Sequence, residues 1–248
     1  MVGRFIRLFS ASALTLSLGC ADMQNFDLSQ VLSMGTPLDQ PTVASGLKQA
    51  LDVGTKRTTA TLSAPGGFGD DPRFRIQLPG ELGRLASAFR QIGLGSRVDA
   101  FEDTMNRAAE EAAARAVPVF TSAITSMTIS DAFEILNGPE NAATVYFQER
   151  TTASLRKEFS PVAASAMQEV GLYRAYRDIV ARYDAIPFSK PPAVDLEAYI
   201  TDETLNALFA ELALEEARIR EDPAARSTAL LRRVFGSVSP SSSPSAAP

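Results

Sequence analysis

The chain has 248 residues, of which 45% are hydrophobic and 21% are charged, with 15 Gly and 15 Pro. This composition is typical of globular proteins, and it excludes collagen-like and wholly disordered chains. The formal net charge of −5 argues against non-specific nucleic-acid binding, which depends on clustered Lys and Arg. We therefore expect no nucleic-acid partner.

The sequence contains no His and one Cys. Without His it has no imidazole base for Ser–His or Cys–His catalysis and no His ligands for zinc. A single Cys forms no disulfide within the chain and no Cys cluster for a metal ion. We therefore expect no cofactor and no metal ion.

Residues 1–19 have the organisation of a secretion signal. Arg4 and Arg7 give a positive start, and residues 8–18 form an uncharged, mostly apolar run. This run is shorter than the roughly 20 residues that a permanent membrane-spanning helix needs. We therefore expect residues 1–19 to be a signal peptide that is removed.

Cys20 follows the apolar run directly after Gly19. Its position resembles the lipobox of bacterial lipoproteins, in which the Cys is lipidated and the chain is cut before it. Ser17 stands where the usual lipobox has Leu, with Leu16 one place earlier. The alternative is a plain signal peptide that leaves a free thiol. Because a lone thiol is a liability in an oxidising compartment, we expect lipidation of Cys20.

The residues that follow Cys20 predict in which membrane the lipidated protein resides. Ala21 follows Cys20, and Asp22 comes only after it. By resemblance to bacterial lipoprotein sorting, this order favours the periplasmic face of the outer membrane. Without the lipid, the protein would be soluble in the periplasm.

Two low-complexity or irregular segments flank the body of the chain. Residues 20–41 contain Pro37 and Pro41 without a sustained hydrophobic period, and they predict a flexible tether. Residues 237–248 are rich in Ser and Pro and predict a disordered tail. The intervening residues 42–236 have helical spacing almost throughout. We expect an all-α, bundle-like single domain of roughly seven helices.

In chain order, a first helix is predicted to begin near Thr42, and residues 64–72 form a loop. Residues 73–79 alternate apolar and polar side chains as a strand does, but no second strand is apparent to pair with them. We therefore expect a short extended segment lying on helices. Helices follow over residues 81–92 and 96–116, and Pro118 is expected to kink or end the second of these.

The second half of the body is also predicted to be helical. Ser130 is expected to cap a short helix closed by Gly138. A further helix is predicted from Glu140 to about Phe159, followed by another stripe over residues 172–183. Asp195 or Thr201 is expected to begin the next helix, and Pro223 marks the start of the last one, which stops at Gly236.

Several segments together resemble one family of uncharacterised bacterial exported proteins, the domain of unknown function 4197. The resemblance covers almost the whole body, from residue 46 to residue 236. It implies a helical envelope protein and supplies no catalytic residues. The segments that carry it are residues 46–51 (GLKQAL), 105–110 (MNRAAE), 143–152 (ATVYFQERTT), 195–201 (DLEAYIT) and 223–228 (PAARST), with the pair Glu215 and Glu216.

Motifs that carry chemistry are scarce. The sequence has no phosphate-binding Gly-x4-Gly-Lys-Ser/Thr loop, no Gly-x-Ser-x-Gly elbow and no EF-hand loop. We interpret the Gly-rich residues 66–69 as a turn. Glu102, Asp103, Glu110 and Glu111 could place carboxylates along one helix, but the spacing of Asp103 and Arg107 is that of an ordinary surface ion pair.

One buried polar cluster is predicted from helical spacing. Leu205, Leu208 and Leu212 form a core stripe, and Glu215 and Glu216 occupy the next inward positions. A buried carboxylate must be paired, because an unpaired buried charge is costly. The candidate partners and neighbours are Asn106, Arg107, Tyr146, Arg150, Thr151 and Arg226.

This cluster has two interpretations. It is either a clamp that fixes the helices in register or the place of any functional site. In the second case one Arg is left free to bind an anionic group above Tyr146.

Three functions fit these observations. The first is a lipid-anchored periplasmic helical module that binds an envelope protein or an apolar or anionic ligand and performs no catalysis. The second is a carboxylate-based hydrolase acting on an envelope polymer. The third is a purely structural envelope protein. We favour the first, because catalytic motifs are missing and the body is helical.

Overall fold

The structure is a computed structural model that describes residues 39–169, apart from positions 92 and 94, and residues 194–221. The expected signal peptide, the lipidation site Cys20 and nearly all of the predicted tether lie outside the described residues. The same holds for the helices predicted over residues 172–183 and 223–236, and for the predicted tail over residues 237–248.

Within the described ranges, the chain forms seven α-helices and no β-strand. The all-α prediction is therefore confirmed. The helices are α1 (Gln40–Ser63), α2 (Gly80–Gln91), α3 (Gly95–Ala114), α4 (Ala116–Ser126), α5 (Ile129–Asn137), α6 (Ala142–Glu169) and α7 (Leu196–Glu221).

The first helix begins at Gln40, slightly before the predicted start near Thr42. Asp39 caps it, because its carboxylate accepts a hydrogen bond from the backbone N–H of Thr42 at 3.1 Å. Pro41 lies in the first turn, where the missing N–H of a proline costs nothing. The two residues that the sequence assigned to the end of the tether therefore belong to α1.

The Gly-rich loop after α1 is a turn, as expected. Gly66 adopts a φ of 82°, in the left-handed region that glycine tolerates best. The loop buries the Phe68 side chain completely, and the Arg75 guanidinium donates to the Gly69 carbonyl at 2.9 Å. Packing of Phe68 thus fixes the loop to the core.

The segment predicted to be extended over residues 73–79 lies on helices, but only residues 75–79 are extended, because residues 72–74 form a turn in which the Phe74 N–H donates to the Asp71 carbonyl. The side chain of Asn106 on α3 acts as its partner: the amide oxygen accepts from the Ile76 N–H at 2.8 Å, and the amide nitrogen donates to the Ile76 carbonyl at 2.9 Å. The Tyr199 hydroxyl on α7 donates to the Gln77 carbonyl at 2.9 Å. Side chains of two helices thereby replace a neighbouring strand.

The long helix predicted up to residue 116 ends at Ala114, and α4 begins at Ala116. Pro118 lies in the first turn of α4, where its missing N–H removes no intrahelical hydrogen bond. The proline therefore ends one helix and begins another, as its position predicts.

The predicted cap of α5 is wrong. Ser130 lies inside the helix, and Thr128 is the capping residue. The Thr128 hydroxyl accepts from the Asp131 N–H at 3.1 Å, and the Asp131 carboxylate accepts from the Thr128 N–H at 2.8 Å. This reciprocal pair satisfies two helix-terminal donors, which a cap at Ser130 could not do.

The predicted end of α6 near Phe159 is also wrong, because the helix continues to Glu169 through Pro161. A proline inside a helix costs roughly 3 kcal/mol. Burial of Phe159, Val162 and Ala163 around it supplies apolar contacts that favour the continued helix. The predicted stripe on this helix, from Phe147 to Val162, is buried as expected.

The last described helix begins at Leu196 with Asp195 as its cap, one of the two predicted starts; the Asp195 carboxylate accepts from the Ala198 N–H at 3.0 Å. It packs against α1, α3 and α6. The core between them holds fully buried Phe120, Phe147 and Leu208. None of the described helices is long and apolar enough to cross a bilayer.

Candidate functional site

Glu216 on α7 is a buried carboxylate that holds the start of α6. Its Oε1 accepts from the backbone N–H of Ala143 at 3.0 Å, and its Oε2 accepts from the N–H of Thr144 at 2.9 Å. The Thr144 hydroxyl also donates to Oε2 at 2.8 Å. These N–H groups have no partner within α6, because the first turn of a helix leaves its donors free. Glu216 therefore caps α6 from a different helix.

Arg220 completes this arrangement one turn further along α7. Its guanidinium donates to Glu216 Oε1 at 2.8 Å and to the Ile135 carbonyl at 3.0 Å. Ile135 lies in the last turn of α5, where carbonyls lack helical partners. The negative charge thus meets a helix N-terminus and the positive charge a helix C-terminus, which is the favourable orientation for both helix dipoles.

Glu215, the residue next to Glu216 on α7, has a buried carboxylate that forms a second set of ion pairs. Its carboxylate, of which 5% is exposed, lies 2.9 Å from the Arg57 guanidinium of α1 and 3.1 Å from that of Arg218. Arg57 and Arg218 extend to the surface. The pair therefore ties α1 to α7 while both arginines remain hydrated.

The arginines that hold Glu215 and Glu216 are not the ones that the sequence suggested. Arg107 is exposed on α3 and donates to the Thr104 hydroxyl at 3.3 Å. It lies two residues after the buried Met105, and two helical positions place side chains on nearly opposite faces. Arg150 pairs instead with Asp131 of α5 at 3.8 Å. The prediction was therefore wrong for Arg107 because of its helical phase, and for Arg150 because Asp131 is its partner.

The remaining predicted residues lie in different places. The Tyr146 ring packs beneath the Arg150 guanidinium at 5.6 Å, and its hydroxyl is 3.5 Å from the Ala123 carbonyl. The Thr151 hydroxyl is buried and bonds within its own helix to the Phe147 carbonyl. Asn106 holds the extended segment. Arg226 and Cys20 lie outside the described residues.

A small apolar pocket adjoins the pair of Glu216 and Arg220. Its cavity volume is about 30 Å³, room for roughly two water molecules. It is lined chiefly by apolar side chains of α1 and α7, including Leu51, Leu212 and Ile219, and by Gly54. Sites for small molecules occupy roughly 300–1,000 Å³, so this pocket is too small to hold one.

Glu102 is a third buried carboxylate, on α3. The Arg90 guanidinium lies 3.0 Å from it and also reaches Asp99 at 3.0 Å. Arg75 lies 3.9 Å from Glu102 and 3.6 Å from Asp103. Two of the four acids considered as a catalytic row along α3, Glu102 and Asp103, therefore pair with arginines of the two segments that precede this helix. Of the other two, Glu110 accepts from the Phe68 N–H at 3.3 Å, and Glu111 lies 3.8 Å from Arg115, which directly follows α3.

Glu211 differs from these three because one of its oxygens, Oε2, is buried without a hydrogen-bond partner. The nearest guanidinium is that of Arg73, at 3.9 Å. Burial raises the pKa of Glu211, and the charges of Arg73 and Arg218 offset the effect only in part. The surroundings of Glu211 thus favour its neutral form.

A larger groove separates the outer faces of α6 and α7. Its volume is about 550 Å³, within the range of small-molecule sites. The α6 wall consists of Gln148, Thr152 and Arg156, which recur every fourth residue and so lie on one face. The α7 wall carries Asp202, Glu203 and Asn206, and the floor is formed by Tyr199, Leu205 and Phe209.

One ion pair crosses this groove, between the guanidinium of Arg156 and the carboxylate of Asp202. About half of each side chain is exposed, so the pair adds little to stability. The groove therefore combines amide, hydroxyl and charged groups with an aromatic ring. In the described ranges, no three acidic or Cys side chains come together in a way that could hold a metal ion.

A family model for proteins of unknown function, DUF4197, matches residues 37–236. The chain belongs to the DUF4197 family. This confirms the resemblance found in the sequence. No curated protein and no solved structure gave a significant match.

The groove of this DUF4197 protein was missed in the sequence, although part of it was visible there. Gln148, Thr152 and Arg156 follow a polar stripe of period four beside the core stripe of α6. Residues 143–152 also carried the family resemblance. The second wall lies about fifty positions later on α7, and only the packing of α6 against α7 brings the two together.

Proposed function

We propose that the mature protein is a lipid-anchored helical module of the bacterial envelope that binds a ligand in the groove between α6 and α7 and performs no catalysis. The sequence had placed any functional site at Glu215 and Glu216. The buried acids there are engaged by arginines and backbone N–H groups of the same chain, which supports the clamp interpretation.

The observation that carries the proposal is the groove itself. Its two walls present polar side chains from two packed helices, and all six of these side chains are at least partly exposed. A surface of this kind can make several directed hydrogen bonds to one ligand. The buried clamps around Glu216 and Glu215 keep α7 in place and so preserve the shape of the groove.

The anchoring part of the proposal rests on the N-terminal sequence. The charged start, the apolar run and Cys20 together fit a lipoprotein signal. With residues 20–38 between the lipid and the cap Asp39, the helical body could stand tens of ångströms from the membrane. We propose the periplasmic face of the outer membrane as its location.

The groove favours binding over hydrolysis. Two carboxylates that hydrolyse a glycosidic bond flank that bond from opposite sides. The carboxylates in the described lining of the groove, Asp202 and Glu203, are adjacent on one helix, and Asp202 is paired with Arg156. This arrangement suits hydrogen bonding to a ligand better than acid–base attack on it.

Photo-crosslinking in intact cells tests this function. A benzophenone amino acid replaces Gln148 in the groove, and in a control chain it replaces Glu158, which is exposed on α6 outside the groove. Benzophenone inserts into C–H bonds of proteins, lipids and sugars alike. We expect an adduct from position 148 and none from position 158. Absence of an adduct at 148, or equal adducts at both positions, would contradict the proposal.

A further inference from the structure

We propose that the ligand of the groove between α6 and α7 is a neutral glycan that carries amide groups, such as a chain of N-acetylated sugars. This inference rests on the proposed function and names the ligand class for the same site. It differs from the apolar or anionic ligand that the sequence suggested. Four properties of the groove support it: the spacing of its polar groups, their hydrogen-bonding chemistry, its charge and its floor.

The polar groups are spaced regularly along both walls. Gln148, Thr152 and Arg156 follow one another at intervals of four residues, or roughly 6 Å along the helix. On the facing helix Asn206 comes four residues after Asp202, at nearly the same interval. Regular spacing on two walls suits an elongated ligand with recurring polar groups.

The hydrogen-bonding groups match a ligand that both donates and accepts. The amides of Gln148 and Asn206 can each donate and accept, whereas the carboxylates of Asp202 and Glu203 only accept. Within the groove the Asn206 amide donates to Glu203 Oε1 at 3.4 Å, so a ligand would compete for or share this bond. Sugar hydroxyls donate to carboxylates and accept from amides, and an N-acetyl group offers one N–H and one carbonyl. Each wall therefore finds complementary partners on such a ligand.

The charge of the groove argues against an anionic ligand. Its described lining has one cation, Arg156, and two anions, Asp202 and Glu203. Arg156 is already paired with Asp202, so the described lining is left with the negative charge of Glu203. A phosphate or an acidic lipid headgroup would be repelled, whereas a neutral polyhydroxyl ligand would not.

The floor of the groove favours a glycan over a docked peptide helix. Peptide helices bind by inserting large apolar side chains into an exposed apolar groove. Leu205 and Phe209 are buried, and the large hydrophobic residues that the structure shows as exposed (Ile129, Val145 and Leu214) lie outside the groove. Tyr199 is half-buried and lines the groove, and its ring is the aromatic group against which the C–H face of a sugar would pack.

Calorimetric titration of the purified full chain with the tetramer of N-acetylglucosamine tests the proposal. We expect saturable binding with a dissociation constant below about 1 mM. Weaker binding by at least tenfold is expected for the double variant Gln148→Ala/Asn206→Ala. The control Glu158→Gln should bind as the unchanged chain does. The tetramer of glucose, which has no amide, should bind less tightly.

The outcomes separate this inference from the proposed function. If the tetramer shows no saturable binding, or if the double variant binds it with unchanged affinity, the glycan proposal is wrong. If crosslinking at position 148 captures a protein while the tetramer does not bind, the groove is a binding site for another class of ligand. If neither crosslinking nor titration gives a signal from the groove, both proposals fail.

Discussion

Glu216 accepts both polar hydrogens of Thr144, the backbone N–H at 2.9 Å and the hydroxyl at 2.8 Å, across 72 positions of the chain. Helices are usually capped by a side chain next to their own first turn. Here the cap of α6 comes from near the C-terminal end of α7, so formation of α6 is coupled to the docking of α7. The Glu216 side chain thereby makes the start of α6 depend on the packing of α7 against it.

The first prediction concerns this cap. Glu216→Gln replaces a carboxylate oxygen with an NH₂ group that faces other donors, and it removes the negative charge with which Arg220 pairs. We expect a loss of about 3–5 kcal/mol in the free energy of unfolding, measured by urea denaturation. The control Glu158→Gln changes an exposed acid on α6 and should alter stability by less than about 0.5 kcal/mol. Similar effects in the two variants would show that Glu216 is not a clamp.

The second prediction concerns the small pocket beside Glu216. A methyl group at Gly54 would lie 3.4 Å from Ile219 Cδ1 and 3.6 Å from Glu215 Cγ, which is ordinary contact. Because alanine also favours a helix interior by about 1 kcal/mol over glycine, we expect Gly54→Ala to raise the melting temperature by about 2–4 °C.

Gly67→Ala serves as the control for Gly54→Ala, because it adds the same methyl group at a position without room for it. A methyl group at Gly67 would lie 2.5 Å from the Leu62 carbonyl, a backbone atom that cannot move aside easily. We therefore expect Gly67→Ala to lower the melting temperature. If Gly54→Ala lowers it as well, the described packing of α1 on α7 is wrong.

The third prediction concerns pH. Burial raises the pKa of Glu211 above its usual value near 4.5, so the folded chain holds this proton more tightly than the unfolded chain. The stabilising contribution of the protonated acid is present at low pH and is lost as pH rises through the folded-state pKa. We therefore expect Glu211→Gln to be more stable than the unchanged chain at pH 7, with a difference that shrinks towards about pH 4. Denaturation curves at both pH values measure this difference in stability. A difference that does not change with pH would show that the pKa of Glu211 is not raised in the folded chain.

Much of the fold follows from local patterns in the sequence. The stripe from Phe147 to Val162 predicted a buried face of α6, and the alternation around Ile76 predicted an extended segment that rests on helices. Both depend on residues close together in the chain. Local patterns failed where tertiary packing overrides propensity: Pro161 would normally end a helix, but its buried neighbours keep α6 intact.

The polar cluster shows the same limit. Burial of Glu215 and Glu216 was visible from the stripe that precedes them, and the spacing of Glu216 and Arg220 is the familiar interval for an ion pair along one helix. Arg57 lies 158 positions from Glu215. No periodicity in the sequence links residues so far apart, so this partner required the structure.

The fourth prediction concerns the anchor. We expect the full-length protein to enter the detergent phase in Triton X-114 separation and to incorporate a labelled fatty acid. Cys20→Ser removes the thiol that would carry the lipid, so that variant should remain in the aqueous phase without label. Ala21→Ser retains Cys20 and serves as the control. Partition of the unchanged protein into the aqueous phase would show that Cys20 is not lipidated.

The central claim is that ligand binding belongs to the groove, whereas the buried acids only stabilise the fold. The most direct test measures adduct yield in intact cells from the benzophenone at position 148, in chains that also carry changes on the opposite wall of the groove. Glu203→Ala/Asn206→Ala should abolish the adduct while changing the melting temperature by no more than about 2–4 °C. An adduct of unchanged yield in that variant would contradict the claim.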